Sequence, residues 1–274
     1  MTLREKHQQG QFTITVELDP PKSSSAEKTF EQAARLKGKV DAINIADSPM
    51  SKMRMSPISL SYLLQHNKEI ETIFHLTCRD RNIIGLQSEL LGAAALGVHN
   101  ILTLTGDKPD NGDHPFAQSV FEVDCMGLLN IAKTLNAGKD LAGNDLDEPT
   151  NFYIGATGNP GAPDLEIERQ KLAAKIQNGA HFVQTQPIYD LEQAKRYIDK
   201  MSEFGYGGNN RGLLCMKRLE KGTYYVMSEG DEYYCTDSDY NGIIVTTIRG
   251  FAAEGNHPDY PIFAGIYGQD FNYE

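Results

Sequence analysis

The side chains that could do chemistry in this 274-residue chain recur at one kind of place, the ends of short apolar, β-rich runs. Glu17 and Asp19 close the first run, Asn44 and Asp47 the second, and His75, Thr77 and Asp80 the third. Thr103, Thr105 and Asp107 follow on the fourth, Thr157 and Asn159 on the fifth, Gln184 and Gln186 on the sixth. Carboxyl, imidazole, hydroxyl and amide groups of this kind serve proton transfer and ligand hydrogen bonding. One polar residue after a strand is ordinary loop chemistry. Six sets in succession would line a single mouth.

Elements that could hold them there are legible up to about residue 200. FTITVEL (12–18) alternates and is rich in β-formers, and Pro20–Pro21 end it. Ser23 to Ser25 offer N-caps to a helix over 26–37, with Glu27 and Glu31 early and Lys37 late, as the helix dipole prefers. The cycle repeats as strand 40–46 with helix 56–67, strand 71–77 with helix 82–96, and strand 99–105 with helix 124–137. Strand 151–157 with helix 164–178 and strand 181–186 with helix 189–202 complete six βα units. Asp124 and Asp164 stand where N-caps belong, and Gly97 and Gly179 where a left-handed residue closes a helix.

Strands separated by helices pair in parallel through right-handed crossovers, in an open doubly wound sheet or in a closed barrel. No strand is followed by G-x-G-x-x-G, so the open dinucleotide-binding sheet lacks its signature. Functional groups gathered at C-terminal strand ends are what a barrel presents. A single barrel of ~250 residues also suits the chain length. The expected fold class is α/β, a (β/α)8 TIM-type barrel, atypical or incomplete at its C-terminus.

Bulk properties exclude other classes. A net charge of −11 argues against a sequence-independent nucleic-acid binder, whose affinity comes from Lys and Arg on phosphates. No run approaches the ~18 apolar residues of a membrane span, and MTLREKHQQGQ has no signal-peptide core. Cys78, Cys125, Cys215 and Cys235 form neither a C-x-x-C pair nor a zinc spacing, so no metal is expected. Scattered thiols without an export signal indicate a reducing, cytoplasmic compartment. Cys78, after an apolar strand, reads as a buried structural thiol.

VELDPPK (16–22), NIADSP (44–49), HLTCRDRN (75–82), LTLTGDKP (102–109) and GAHFVQTQPIYD (179–190) resemble the methylenetetrahydrofolate reductases, in that family's order and approximate spacing. GDHPFAQSVFEVD (112–124) is similar to one branch of it. The resemblance covers about residues 10–202. It implies a barrel with FAD across the C-terminal mouth, where NADH or NADPH and then 5,10-methylenetetrahydrofolate use the same flavin face. The product is 5-methyltetrahydrofolate, in one-carbon metabolism and methionine biosynthesis. The folate's methylene bridge must open to an iminium before accepting hydride, which requires a proton on the bridging nitrogen.

Residue by residue, Glu17 matches the family's catalytic glutamate. A carboxyl at a barrel mouth beside a flavin would be desolvated and its pKa raised, which makes it a usable acid. Asp107 of T-G-D matches the aspartate beneath flavin and pterin, able to accept from the pterin amino edge and to stabilise the iminium. Gln186 matches the glutamine that binds the pterin. His75, Thr105, Gly106, Thr157 and Lys175 match cofactor-binding positions, and Ala180 a helix–strand junction that affects flavin retention. Each has a plainer reading. Glu17 could be a surface residue ending a strand, Asp107 a turn residue of Gly-Asp-Lys-Pro, His75 a satisfied core histidine, Lys175 a solvated helix charge and Ala180 a tight-packing position.

The chain also departs from the pattern. Thr157 and Asp47 stand where well-studied bacterial members have tyrosines, and Ala174 where they have an arginine. The aromatic lost at Thr157 and the cation lost at Ala174 bear on the FAD grip, whereas N-I-x-D-S-P with Asp47 is usual in the branch that GDHPFAQSVFEVD resembles. Nine of thirteen tyrosines fall after position 201. Residues 1–202 are thus expected as a barrel core, with 203–274 as an atypical β-rich tail. GTYYVMSEGDEYYCTD (222–237) reads as a β-hairpin, and NGIIVTTI (241–248) and YPIFAGI (260–266) as strands able to close a barrel. If YPIFAGI is the seventh strand, 203–259 is an insertion. The tyrosine clusters favour an interface, so a homo-oligomer is among the expectations. Three functions remain open: an active reductase, a flavin- or folate-binding barrel without turnover, and a reductase subunit fed electrons by a partner protein.

Overall fold

A computed structural model describes residues 1–9, 11, 13–188 and 191–202, and the strand segments 211–216, 223–228, 231–236, 244–250 and 272–273. The six βα units stand where the sequence places them. They are β1 (Thr13–Leu18) with α2 (Glu27–Leu36), β2 (Ala42–Ile45) with α3 (Pro57–Lys68), and β3 (Thr72–Thr77) with α4 (Ile83–Ala95). Then come β4 (Asn100–Leu104) with α5 (Cys125–Asn136), β5 (Tyr153–Gly158) with α6 (Leu165–Gln177), and β6 (Phe182–Ile188) with α7 (Leu191–Ser202). Neighbouring strands pair in parallel from β1 through β6.

Caps account for several of the boundaries. The Asp124 carboxylate accepts from the backbone N–H groups of Met126 and Gly127, and that of Asp164 from Glu166 and Ile167. Gly97 and Gly179 have φ of +73° and +107°, the left-handed closure expected there. At α2 the N-cap position falls to Ala26, which has no side-chain hydrogen bond, so the serine cap is met only in part: Ser25 Oγ accepts from the N–H of Glu27, the first helical residue, at 3.4 Å. Ser23 accepts from the N–H of Ser25, two residues short of the helix.

The sheet closes as a barrel in the order β1-β10-β7-β6-β5-β4-β3-β2. β7 (Arg211–Met216) continues the parallel array from β6, and β10 (Ile244–Gly250) lies antiparallel to both β7 and β1. β7 falls inside the stretch that would have been an insertion. NGIIVTTI does supply a barrel strand, in reversed orientation, while YPIFAGI lies outside the described residues. The expected hairpin is present as β8 (Thr223–Ser228) and β9 (Asp231–Thr236), paired antiparallel. β11 (Asn272–Tyr273) adds to β9 in a separate three-stranded sheet.

Sequence reading missed α1 (Leu3–Gln8), although Thr2-x-x-Glu5 is a capping-box pattern and both of its hydrogen bonds form. Leu3 is buried with Ala42, Ile73, Leu102, Tyr153 and Phe182, residues from the N-terminal half of the barrel interior. The ring of Phe182 fills the space beside Gly155, where an added Cβ would lie 2.3 Å from it. One end of the barrel is therefore packed with apolar side chains, and the polar strand ends are left to the other.

Candidate active site at the barrel mouth

Alternation decides which side chains enter the barrel. Val16 and Leu18 pack outward with Ala33, Leu36, Leu60 and Leu64 of α2 and α3. Thr13, Thr15 and Glu17 on the same strand therefore face inward. Phe74, Leu76 and Cys78 pack outward with Leu86, Leu90 and Leu128, so His75 and Thr77 face inward. Ile154 and Ala156 belong to the same outer cluster, which turns Thr157 inward. Val183 packs with Leu172, Tyr197 and Met201 on the helical side, which turns Gln184 inward.

The interior polar groups form a chain. Asn44 Nδ2 donates to Thr15 Oγ1 at 3.0 Å, and its Oδ1 lies 3.3 Å from His75 Nε2. All three residues are buried. Burial pushes the His75 imidazole down to about 4, only partly offset by the Asp47 carboxylate, so at neutral pH it is uncharged. A prediction follows from the sign. The unfolded chain takes up a proton near pH 6.5 that the folded chain refuses until about 4, so stability falls as pH drops across that window. His75→Gln should remove this slope, worth about 3 kcal/mol between the two limits. Parallel denaturant melts of wild type and variant at pH 7 and pH 5 measure it. Equal slopes would show that His75 does not titrate this way.

Beyond the strands, the loops are tied together by buried charge. Asp47 Oδ2 accepts from Thr77 N–H at 2.9 Å, Thr77 Oγ1 at 2.8 Å and Arg81 Nη1 at 2.8 Å. Arg79 is 3% exposed, and its Nη1 donates to Ser48 O at 3.3 Å and Ser51 Oγ at 3.2 Å. Ser51 Oγ in turn donates to the Asp107 carbonyl at 2.8 Å. Asp107 itself is exposed beyond β4. Ser48, Met50 and Ser51 all have φ between +46° and +55°, a left-handed run that costs energy in residues other than glycine. The arginine and serine contacts hold that run in place.

Gly106 has φ of +96°, and a Cβ there would lie 2.9 Å from Thr77 Cβ. The T-G-D turn can therefore lie against β3 only with glycine. Thr105 is exposed, and its hydroxyl accepts from Cys125 N–H at the start of α5. Asp113 accepts from Lys22 Nζ at 2.5 Å and from Met53 N–H at 3.0 Å, which links the loops after β1, β2 and β4. The Lys22 ammonium, with help from Met53 N–H and His114, holds the Asp113 carboxyl well below the usual range.

On the far side, Lys175 Nζ donates to Thr157 O at 2.6 Å and lies 3.3 Å from Thr157 Oγ1. The lysine is thus drawn from α6 to the C-terminal end of β5. The ladder between β6 and β7 shifts register between Gln184 and Pro187. Gln186, within that irregularity, is exposed, whereas Gln184 is buried. Ala180 is buried at the α6–β6 junction. Glu17 is half-buried and lies in register with Asn44 on one side and Ile244 on the other. Glu17, His75, Thr157 and Gln186 therefore sit at C-terminal strand ends around one opening, with Thr105–Asp107 just beyond β4. Two strands, β2 and β3, separate Glu17 from the Asp107 loop.

Cys78 is fully buried, donates weakly to Leu104 O at 3.4 Å, and has its thiol pushed up to about 12 by burial, as an inert structural thiol would. Sequence reading missed Thr15, Ser51, Arg79 and Arg81 as parts of the site. The alternation Thr13, Thr15, Glu17 was a usable signal for the first of them. Among the described residues no helix is long and apolar enough to cross a membrane, and no His, Cys, Asp and Glu cluster could hold a metal ion.

A protein from Clostridium thermocellum described as binding two copies of 5-methyl-5,6,7,8-tetrahydrofolic acid shares the fold, at TM-score 0.52 and 16% identity over 79% of this chain and 67% of that one. Methylenetetrahydrofolate reductase 1 of Schizosaccharomyces pombe is 28% identical over 70% of this chain and 31% of its own length. The 5,10-methylenetetrahydrofolate reductase of Salmonella typhimurium is 23% identical over 72% of this chain and 62% of its own length. The chain thus spans less than two thirds of either relative. The sequence model of methylenetetrahydrofolate reductase matches residues 2–210, and the chain belongs to that family.

Proposed function

We propose that this protein reduces 5,10-methylenetetrahydrofolate to 5-methyltetrahydrofolate, using FAD and either NADH or NADPH. The observation that carries the reading is the placement of Glu17, His75, Thr157 and Gln186 around one barrel mouth, on strands whose opposite faces are locked into the outer core. The residues present suit a flavin. Lys175, held at the end of β5, offers a cation, Thr105–Gly106 offer backbone at the turn, and His75 is neutral. When bound, FAD supplies the hydride carrier between reduced nicotinamide and folate.

The chain's own residues do the rest. Glu17 delivers a proton to the bridging nitrogen of the folate so that the methylene bridge can open. Asp107 accepts from the pterin amino edge and balances the cationic iminium, on a loop fixed by Ser51 and Arg79. Gln186 satisfies donor and acceptor positions of the pterin with a neutral amide. Residues 1–202 carry the site, and 203–274 complete the wall through β7 and β10. A reducing cytoplasmic compartment suits the free thiols of Cys78 and Cys125.

The test is the visible spectrum of the purified protein, followed by anaerobic addition of NADH or NADPH. The expected result is an oxidised-flavin spectrum that bleaches on addition. A colourless protein that also fails to bind added FAD overturns the reading. Bound FAD that bleaches with dithionite but with neither nucleotide would favour electron supply from a partner protein.

A further inference from the structure

Among the described residues, polar groups on one wall of the barrel bond to one another, while one amide on the opposite wall keeps an unpaired oxygen. Thr15, Asn44 and His75 bond to one another across β1, β2 and β3. On the opposite wall Gln184 is 4% exposed, and its Oε1 is buried with no hydrogen-bond partner among the described residues. Such an acceptor is costly to leave unpaired, and native structures rarely do so without a ligand or solvent to meet it. Gln184 faces inward because Val183 beside it is committed to the helical side. Its register partner on β5 is Thr157, whose carbonyl and hydroxyl hold Lys175. The register shift between Gln184 and Pro187 separates it from Gln186, so the two amides occupy different depths, one buried and one exposed.

The geometry points to Gln184 as a second ligand-reading amide, which accepts a ring N–H from a fused heterocycle entering the mouth. A carboxamide matches a ring lactam edge, because its oxygen accepts the N–H while its nitrogen donates to the neighbouring C=O. The Gln184 amide carries no charge and so suits an uncharged edge, while the Lys175 ammonium beside it is already engaged by Thr157. Flavin and pterin both carry that lactam edge. This inference rests on the proposed folate-reductase reading and adds a residue to it.

The test uses the full-length chain and three measurements: thermal midpoint without ligand, Kd for FAD, and Kd for 5-methyltetrahydrofolate. Gln184→Met keeps the length and removes the amide. The expected result is a ligand-free midpoint equal to or above wild type, because an unsatisfied polar atom has been removed. The Kd for one of the two ligands should rise roughly tenfold or more, the scale of one lost hydrogen bond to a buried group. A rise for FAD assigns the contact to the flavin, and a rise for the folate assigns it to the pterin. If Gln184→Met does not fold, Gln184→Asn, which withdraws the amide by one methylene, is held to the expectation on affinity alone. Unchanged affinity for both ligands overturns the inference alone. So does a lowered midpoint with both affinities falling together, which marks a structural amide. A wild type that binds neither ligand overturns the functional reading and this inference with it.

Discussion

In Glu17→Gln, bleaching of bound FAD by reduced nicotinamide should proceed at close to the wild-type rate, while folate reduction falls by a factor of ~10² or more, the usual scale for a lost general acid. The two half-reactions separate because only one needs a proton placed on a leaving nitrogen. Glutamine keeps the size and the hydrogen-bonding oxygen of the side chain but has no acidic proton. The backbone around the carboxyl is fixed: Val16 and Leu18 are 1% and 2% exposed in the outer core, and Pro20 is buried. The amide should therefore stand where the carboxyl stood. Stopped-flow absorbance of each half-reaction, run anaerobically, gives both rates on one preparation. A parallel fall in both would make Glu17 a structural residue and leave the proton unassigned.

The fold was legible wherever hydrophobic period and caps agreed, because both are local. FTITVEL alternates, Asp124 and Asp164 cap α5 and α6, and Gly97 and Gly179 close the helices before β4 and β6. α1 escaped notice because six residues make too short a period, although its capping box was written in Thr2 and Glu5. β7 escaped because no helix-length amphipathic run in the sequence follows GLLCM, so no βα rhythm marks it. The reversed orientation of β10 could not be read at all. Alternation says that a strand has two faces and says nothing about its direction.

The site divides along the same line. Residues aimed into the barrel were visible as polar positions in an apolar alternation. The residues that hold the mouth in shape are set by contacts between loops far apart in sequence. Arg79 reaches Ser48 and Ser51, and Ser51 reaches Asp107, 56 positions away. Nothing in R-D-R or S-P-M-S announces that link. Asp47 was noted as a departure from the bacterial pattern, and its place among Thr77 and Arg81 shows what an aspartate does there instead.

Asp47→Ala should be the most destabilising single substitution at the mouth, by about 3–5 kcal/mol, as expected when one partner of a buried ion pair is removed. The carboxylate is 3% exposed on its side chain and Arg81 is 18% exposed, so water does not replace the lost contact easily. Alanine would strand three donors at once: the Thr77 N–H, the Thr77 hydroxyl and the Arg81 guanidinium. Each is costly when buried and unpaired. The consequence should extend to the turn after β4, because Thr77 Cβ occupies the space that only a glycine at 106 leaves open. Loss of the anchor would loosen the contact between β3 and the Thr105–Asp107 turn, and FAD affinity should fall with stability. Asp47→Asn should lie between wild type and alanine, since it keeps an acceptor for Thr77 but leaves the Arg81 charge uncompensated. Urea melts of the three proteins, with FAD titrations of each, test both halves of this expectation. A loss below 1 kcal/mol for Asp47→Ala would show that Arg81 finds water or another acceptor, and that the loops after β2 and β3 are held by Arg79 instead.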